Sequence, residues 1–120
     1  LNVAQYQDLH LFFSAKIGYK NISISKLISL KIHNVSPEYI QEFKKSQFSD
    51  LPLDEITSFK IHNVTPEFVQ SFKDIGYPNI TADQAKSLKI HNVTPEYVKA
   101  LKEQDKDISL EQAIRIKIYF

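Results

Sequence analysis

The apolar positions of this chain fall into short helical stripes separated by tight punctuation. After Pro66, the residues Phe68, Val69 and Phe72 lie at i, i+1 and i+4, the stripe of an amphipathic helix rather than the alternation of a strand. Thr65 is a good N-cap, Pro66 suits the first helical position, and Glu67 sets a negative charge where the helix dipole favours it. Val64 and Val69 stand at the spacing of a hydrophobic staple, Lys73 belongs to the last turn, and Gly76 supplies a left-handed stop. These signals predict a helix over about 66–75. A second helix follows the turn at Tyr77. Thr81 with Gln84 reads as a capping box and Ile80 with Ala85 as another staple. Leu88 and Ile90 carry the apolar surface to Asn92, the expected left-handed C′ residue.

The whole pattern returns at a fixed distance. Lys60-Ile61-His62-Asn63-Val64-Thr65-Pro66-Glu67 is preceded 29 residues earlier by Lys31-Ile32-His33-Asn34-Val35-Ser36-Pro37-Glu38 and followed 29 residues later by Lys89-Ile90-His91-Asn92-Val93-Thr94-Pro95-Glu96. A period in this range marks a repeat architecture, in which a unit cannot bury its apolar face alone and must stack on its neighbours. The expected fold is therefore all-α: a short α-solenoid of about four stacked two-helix repeats within a single domain, 1–120. Residues 1–30 read as a divergent N-terminal capping unit, 31–59, 60–88 and 89–116 as repeats, and 117–120 as the truncated start of another.

The departures from the pattern are informative. The first unit keeps an Ile17-Gly18-Tyr19 corner and a second helix from about Ile24 to His33, but its first helix carries Tyr6, Leu9, Phe12 and Phe13 in another pattern. In 31–59, Gln47 replaces the glycine and Pro52 the N-cap, which predicts a less well capped corner. In the last unit, Gln104-Asp105-Lys106-Asp107 replaces the Gly-Tyr corner. Stacking predicts ladders of equivalent core residues: Val35/Val64/Val93, Tyr39/Phe68/Tyr97, Ile40/Val69/Val98, Phe43/Phe72/Leu101, Leu27/Ile56/Ala85/Ala113, Leu30/Phe59/Leu88/Ile116 and Ile32/Ile61/Ile90.

Composition narrows the function classes. The chain has 120 residues and a net charge of +1, and its charges are balanced along its length. The basic footprint of a nucleic-acid binder is missing, so no nucleic-acid partner is expected. Apolar runs are a few residues long, so no membrane insertion by this segment is expected. Cysteine and methionine are both absent. The first excludes disulfides, and the second, in a chain opening at Leu1, reads as a piece cut from something longer.

One cation and one imidazole recur at the end of each second helix: Lys31 and His33, Lys60 and His62, Lys89 and His91. These six form the candidate interaction edge. A metal ladder would need four ligands about 2.0–2.1 Å from the ion, and no third or fourth ligand recurs beside the histidines. Their expected role is helix termination, where a polar or positive side chain meets free carbonyls. Five Asn-x-Ser/Thr sequences, at Asn21, Asn34, Asn63, Asn79 and Asn92, follow from a turn or helix-stopping Asn set two residues before an N-cap. There is no HExxH, phosphate-binding glycine loop or nucleophile elbow. No enzymatic activity and no cofactor are expected.

The segments 35–40, 64–69 and 93–98, Val-Ser/Thr-Pro-Glu-Tyr/Phe-Ile/Val, resemble a bacterial helical repeat. Its usual form is Gly-Val-Thr-Pro-Glu-Phe/Tyr, then a Gly-Tyr/Phe corner and a second short helix. Such arrays occur in uncharacterised bacterial proteins and in the tails of membrane metallopeptidases of the beta-lactam-sensor type. The resemblance covers about residues 17–118. It implies stacked helix pairs and, by analogy, an extracytoplasmic or envelope-associated location. Asn34, Asn63 and Asn92 stand where that repeat commonly has Gly, a change the left-handed conformation tolerates. The metallopeptidase motif is absent, so no catalytic residue carries over.

The residues that recur have structural roles, while positions 41, 70 and 99 and others on the helix surfaces vary between units. That combination points to a non-enzymatic scaffold for a protein or peptide partner. The alternatives are a small-ligand or metal-sensing domain using the His/Lys edge, and a purely structural spacer.

Overall fold

The computed structural model describes residues 2–16, 18–19 and 21–120, so Ile17 of the first corner lies outside the described residues. The protein is all-α, with eight α-helices and no strand among the described residues. They are α1 (Val3–Leu11), α2 (Ile24–Ile32), α3 (Pro37–Lys44), α4 (Leu53–Ile61), α5 (Pro66–Asp74), α6 (Ala82–Ile90), α7 (Pro95–Gln104) and α8 (Leu110–Tyr119). A π-helical turn, Phe12–Lys16, continues α1. The chain divides into two compact units, 1–61 and 62–120, each containing two equivalents of the sequence repeat.

The starts of the helices are fixed by local chemistry. Ser36, Thr65 and Thr94 accept the N3 backbone N–H of α3, α5 and α7, each with Pro just inside the helix. Thr81–Gln84 and Ser109–Gln112 close reciprocal capping boxes on α6 and α8, as Asn2–Gln5 does on α1. The corner of 31–59 lacks these devices and uses another. Ser46 Oγ donates to Phe43 O and accepts the Phe48 N–H, and the N–H groups of Glu55 and Ile56 donate to Pro52 O.

The helix ends explain where the sequence reading fails. Asn34, Asn63 and Asn92 adopt φ of 55°, 58° and 54°. At α2 the N–H of Val35 donates to Leu30 O and that of Asn34 to Lys31 O; at α6 Val93 reaches Leu88 O and Asn92 reaches Lys89 O. This is the Schellman arrangement, and it folds a valine back onto the core residue five positions earlier. Leu30, Val35, Leu88 and Val93 are accordingly buried. The isoleucine between them is turned outward. The expected core rung Ile32/Ile61/Ile90 is thus wrong: these residues are 68%, 55% and 54% exposed, and Ile118 at the same place in α8 is 48% exposed. Helical periodicity carried one residue too far, into the final turn, where the reversal by Asn and Val fills the core instead.

The remaining rungs divide by depth. In the first unit, Phe13, Leu27, Leu30, Val35, Ile40 and Ile56 belong to one buried cluster, and Phe43, Phe48 and Phe59 form a ring cluster beside it. In the second, Val69, Phe72, Ala85, Leu88, Val98 and Ala113 are buried. Tyr39, Phe68 and Tyr97 are only half-buried, as are Leu101 and Ile116.

Candidate interaction edge

The helix ends that reverse at Asn also present the candidate residues. His33 and His91 are the C-cap residues of α2 and α6, and their backbone N–H groups donate to the carbonyls of Ser29 and Ser87. The imidazoles make no hydrogen bond among the described residues, so the expected capping by the side chain is replaced by capping through the backbone. His33 is exposed, and His62 and His91 are half-buried.

The lysines are not simple solvated charges. Lys60 Nζ lies 5.1 Å from the centroid of the Tyr39 ring, Lys89 Nζ 4.6 Å from that of Phe68, and Lys117 Nζ 5.0 Å from that of Tyr97. These three lysines, each at the end of a second helix, thus cover the half-buried aromatic residue of their own helix pair. Lys31 differs, because the matching position in α1 is His10, which faces Tyr6 at 6.0 Å. Lys31 is exposed.

A second lysine row escaped the sequence reading. Lys44 Nζ sits 4.5 Å from the Tyr19 ring and Lys102 Nζ 4.8 Å from the Tyr77 ring. Lys102 also donates to Ile75 O at 2.7 Å, satisfying a carbonyl at the end of α5. The same tyrosines donate from their hydroxyls, Tyr19 to Leu51 O at 2.6 Å and Tyr77 to Ile108 O at 2.7 Å. Phe48, at the equivalent position, has no hydroxyl to give. The signal was available, since Lys44, Lys73 and Lys102 recur at the same period. Such cation–ring contacts usually occur about once per 70–80 residues, so their number here marks both lysine rows as part of the architecture.

Burial raises the hydroxyl pKa of Tyr19 and Tyr77, helped by the charges of Asp50 and Asp105 respectively, and burial alone raises that of Tyr39 strongly. A phenol with a raised folded-state pKa contributes stability below the unfolded value near 10, and that stability is lost as pH rises above it. Melts between neutral pH and high alkalinity should show no tyrosine-linked loss until about pH 10, then a steady fall. Tyr39→Phe removes one of the titrating groups and should make the fall shallower. An unchanged slope in that variant would contradict the burial of the hydroxyl.

An exposed isoleucine recurs at one position near the end of each second helix, Ile32, Ile61, Ile90 and Ile118, followed by His33, His62, His91 or, in α8, the exposed Tyr119. No family model, curated protein or solved structure matches this chain. Among the described residues, no group of three or more His, Asp or Glu is placed to hold a metal ion, and no helix is long and apolar enough to cross a membrane. A recess of about 320 Å³ in the first unit is walled by Leu9, Phe13, Leu27, Leu30 and Val35, with Lys31 at its rim. The arrangement of the edge can supply apolar contact with hydrogen bonding beside it.

Proposed function

We propose that the chain is a non-enzymatic interaction module, a stack of two-helix repeats whose Ile-His edge receives a protein or peptide. The observation that carries this reading is the exposure of Ile32, Ile61, Ile90 and Ile118 at one register position. Fully burying an isoleucine stabilises a fold by about 1.5–3 kcal/mol, so a repeat that leaves this one outside forgoes that contribution in every unit. A partner that covers it recovers the same term at the interface. Singly scattered surface apolars need no explanation; an apolar residue held at the same helix end in each pair does. The flanking histidines, and Lys31 in the first pair, favour a partner whose apolar face is bordered by acidic groups. The resemblance to the bacterial helical repeat supports the stacked arrangement and adds nothing about the partner.

The test is the variant Ile61→Ser/Ile90→Ser, one substitution in each unit. Both sites are exposed, so stability should change by less than about 0.5 kcal/mol per site. Affinity capture from extracts of the source organism should retain a partner on the wild type that the variant loses. Equal capture by both, or an empty capture by the wild type, overturns the reading.

A further inference from the structure

The first helix pair departs from a rule that the other pairs keep. In those, a half-buried ring lies under the lysine that ends the second helix: Tyr39 under Lys60, Phe68 under Lys89 and Tyr97 under Lys117. The 29-residue period assigns His10 to this place in α1, but the backbone assigns Leu9. The N–H of Tyr77 donates to Phe72 O, and that of Tyr19 donates to Phe13 O. Tyr19 stands one residue further from its acceptor than Tyr77 does, and the π-helical turn Phe12–Lys16 takes up the difference. Phe13 and Phe72 are therefore equivalent, and both are buried. One helical turn before them stand Leu9 and Phe68.

Leu9 has no ring, and it walls the recess of about 320 Å³ in the first unit. Lys31, the match of Lys60 and Lys89, stands at the rim of that recess, and among the described residues it has neither a ring nor a carboxylate partner. The opening has its cause within the pair: an aliphatic side chain occupies a position that elsewhere carries an aromatic one. Beside it lies a more open depression that shares Leu9, Lys31 and Pro37 and adds Gln5 and Asp8. Apolar walls with a few placed polar groups are the make-up of a ligand site.

We infer that this recess takes the aromatic side chain of a peptide partner, a Phe or Tyr supplying the ring that Leu9 lacks. The repeats of the chain name the occupant, since three lysines of the same row already lie over a Phe or Tyr ring. An aliphatic group would meet the apolar walls equally well but would offer Lys31 no π face. Gln5 and Asp8 favour a peptide over a free aromatic molecule. Gln5 Oε1 accepts the Asn2 N–H, which leaves its NH2 group to donate to a main-chain carbonyl, and the Asp8 carboxylate accepts a main-chain N–H. The inference rests on the peptide reading above only for its choice of occupant.

An NMR titration of the isotope-labelled chain with N-acetyl-phenylalanine methylamide tests it. The wild type should bind with a Kd on the order of 1–10 mM, moving the amides of Leu9, Leu30 and Lys31 most. The cyclohexylalanine counterpart, with similar bulk and no π face, should bind about two- to fivefold more weakly, and Lys31→Met should erase that difference. Leu9→Phe sets the chain's own ring in the recess and should abolish binding while circular dichroism shows the helices kept. Lys31 is exposed, so its variant keeps the test decisive if Leu9→Phe loses helicity. Ile61→Ser/Ile90→Ser should bind the probe as the wild type does, which separates this result from the fate of the Ile-His edge. Absence of saturable binding overturns the inference, as does binding that survives in a folded Leu9→Phe or a phenyl preference that survives in Lys31→Met. Toluene binding without binding of the capped residue would seat a free aromatic molecule there and overturn the peptide occupant.

Discussion

Phe59→Ala is expected to lower stability by about 3–5 kcal/mol, the largest loss for any single truncation in the first unit. The ring is fully buried, with its centroid 5.1 Å from Phe43 in a tilted arrangement and 5.7 Å from Phe48 edge-on. Removing it opens a cavity between two rings that cannot collapse far, because Phe43 sits on α3, pinned at its Ser36 cap, and Phe48 is held in the following turn, its N–H donating to Ser46 Oγ. Edge and tilted ring pairs contribute beyond area alone, roughly 0.5–1.5 kcal/mol each. Domains of this size have only about 5–15 kcal/mol in hand. A thermal melt followed by circular dichroism should therefore shift downward by roughly 10 °C or more. Phe59→Leu should recover much of the loss. A shift of a degree or two for the alanine variant would mean the ring cluster is not packed as described.

Gly76→Ala is expected to cost about 2–4 kcal/mol, more than the same change at Gly18. Both glycines lie at positive φ, +110° and +84°, where an L side chain is strained. They differ in what a methyl group meets. At Gly76 it would stand 2.7 Å from Lys102 Nζ, whereas at Gly18 the nearest atom is Lys44 Nζ at 3.8 Å. Displacing Lys102 also breaks its bond to Ile75 O and lifts it from the Tyr77 ring. The two causes separate in a double-mutant cycle with Lys102→Met. In that background the Gly76→Ala penalty should shrink towards the Gly18 value, leaving the backbone strain. Equal penalties with and without Lys102 would show that the ammonium plays no part at this corner.

The caps were legible in the sequence because each is a local rule: Thr81 needs only Gln84, and Asn92 needs only to tolerate a left-handed φ. Repetition then supports the Asn reading at Asn34 and Asn63 and the capping box at Ser109–Gln112. Ile32, Ile61 and Ile90 were misplaced because the stripe alone cannot tell where a helix stops facing the core. That is decided by the valine five residues beyond Leu30 and Leu88, which returns across the helix end. Lys60 was read as a helix-ending cation and Lys102 was not read at all, since residue type reports the ammonium and not the ring beneath it. The division after Ile61 leaves no trace in the period, because the repeated segment runs through it from Lys60 to Glu67.

Among the described residues no α-helix exceeds ten residues. In water, isolated helices shorter than about 12–15 residues are marginal, because nucleation costs more than so few turns return. A peptide cut from any one of these helices should therefore show almost no helicity, however good its caps. Order is held by pairs and their neighbours, and it is lost in the same blocks. Backbone amides in partner helices should exchange with solvent together, and a protease that opens one corner should digest the whole helix pair rather than trim it.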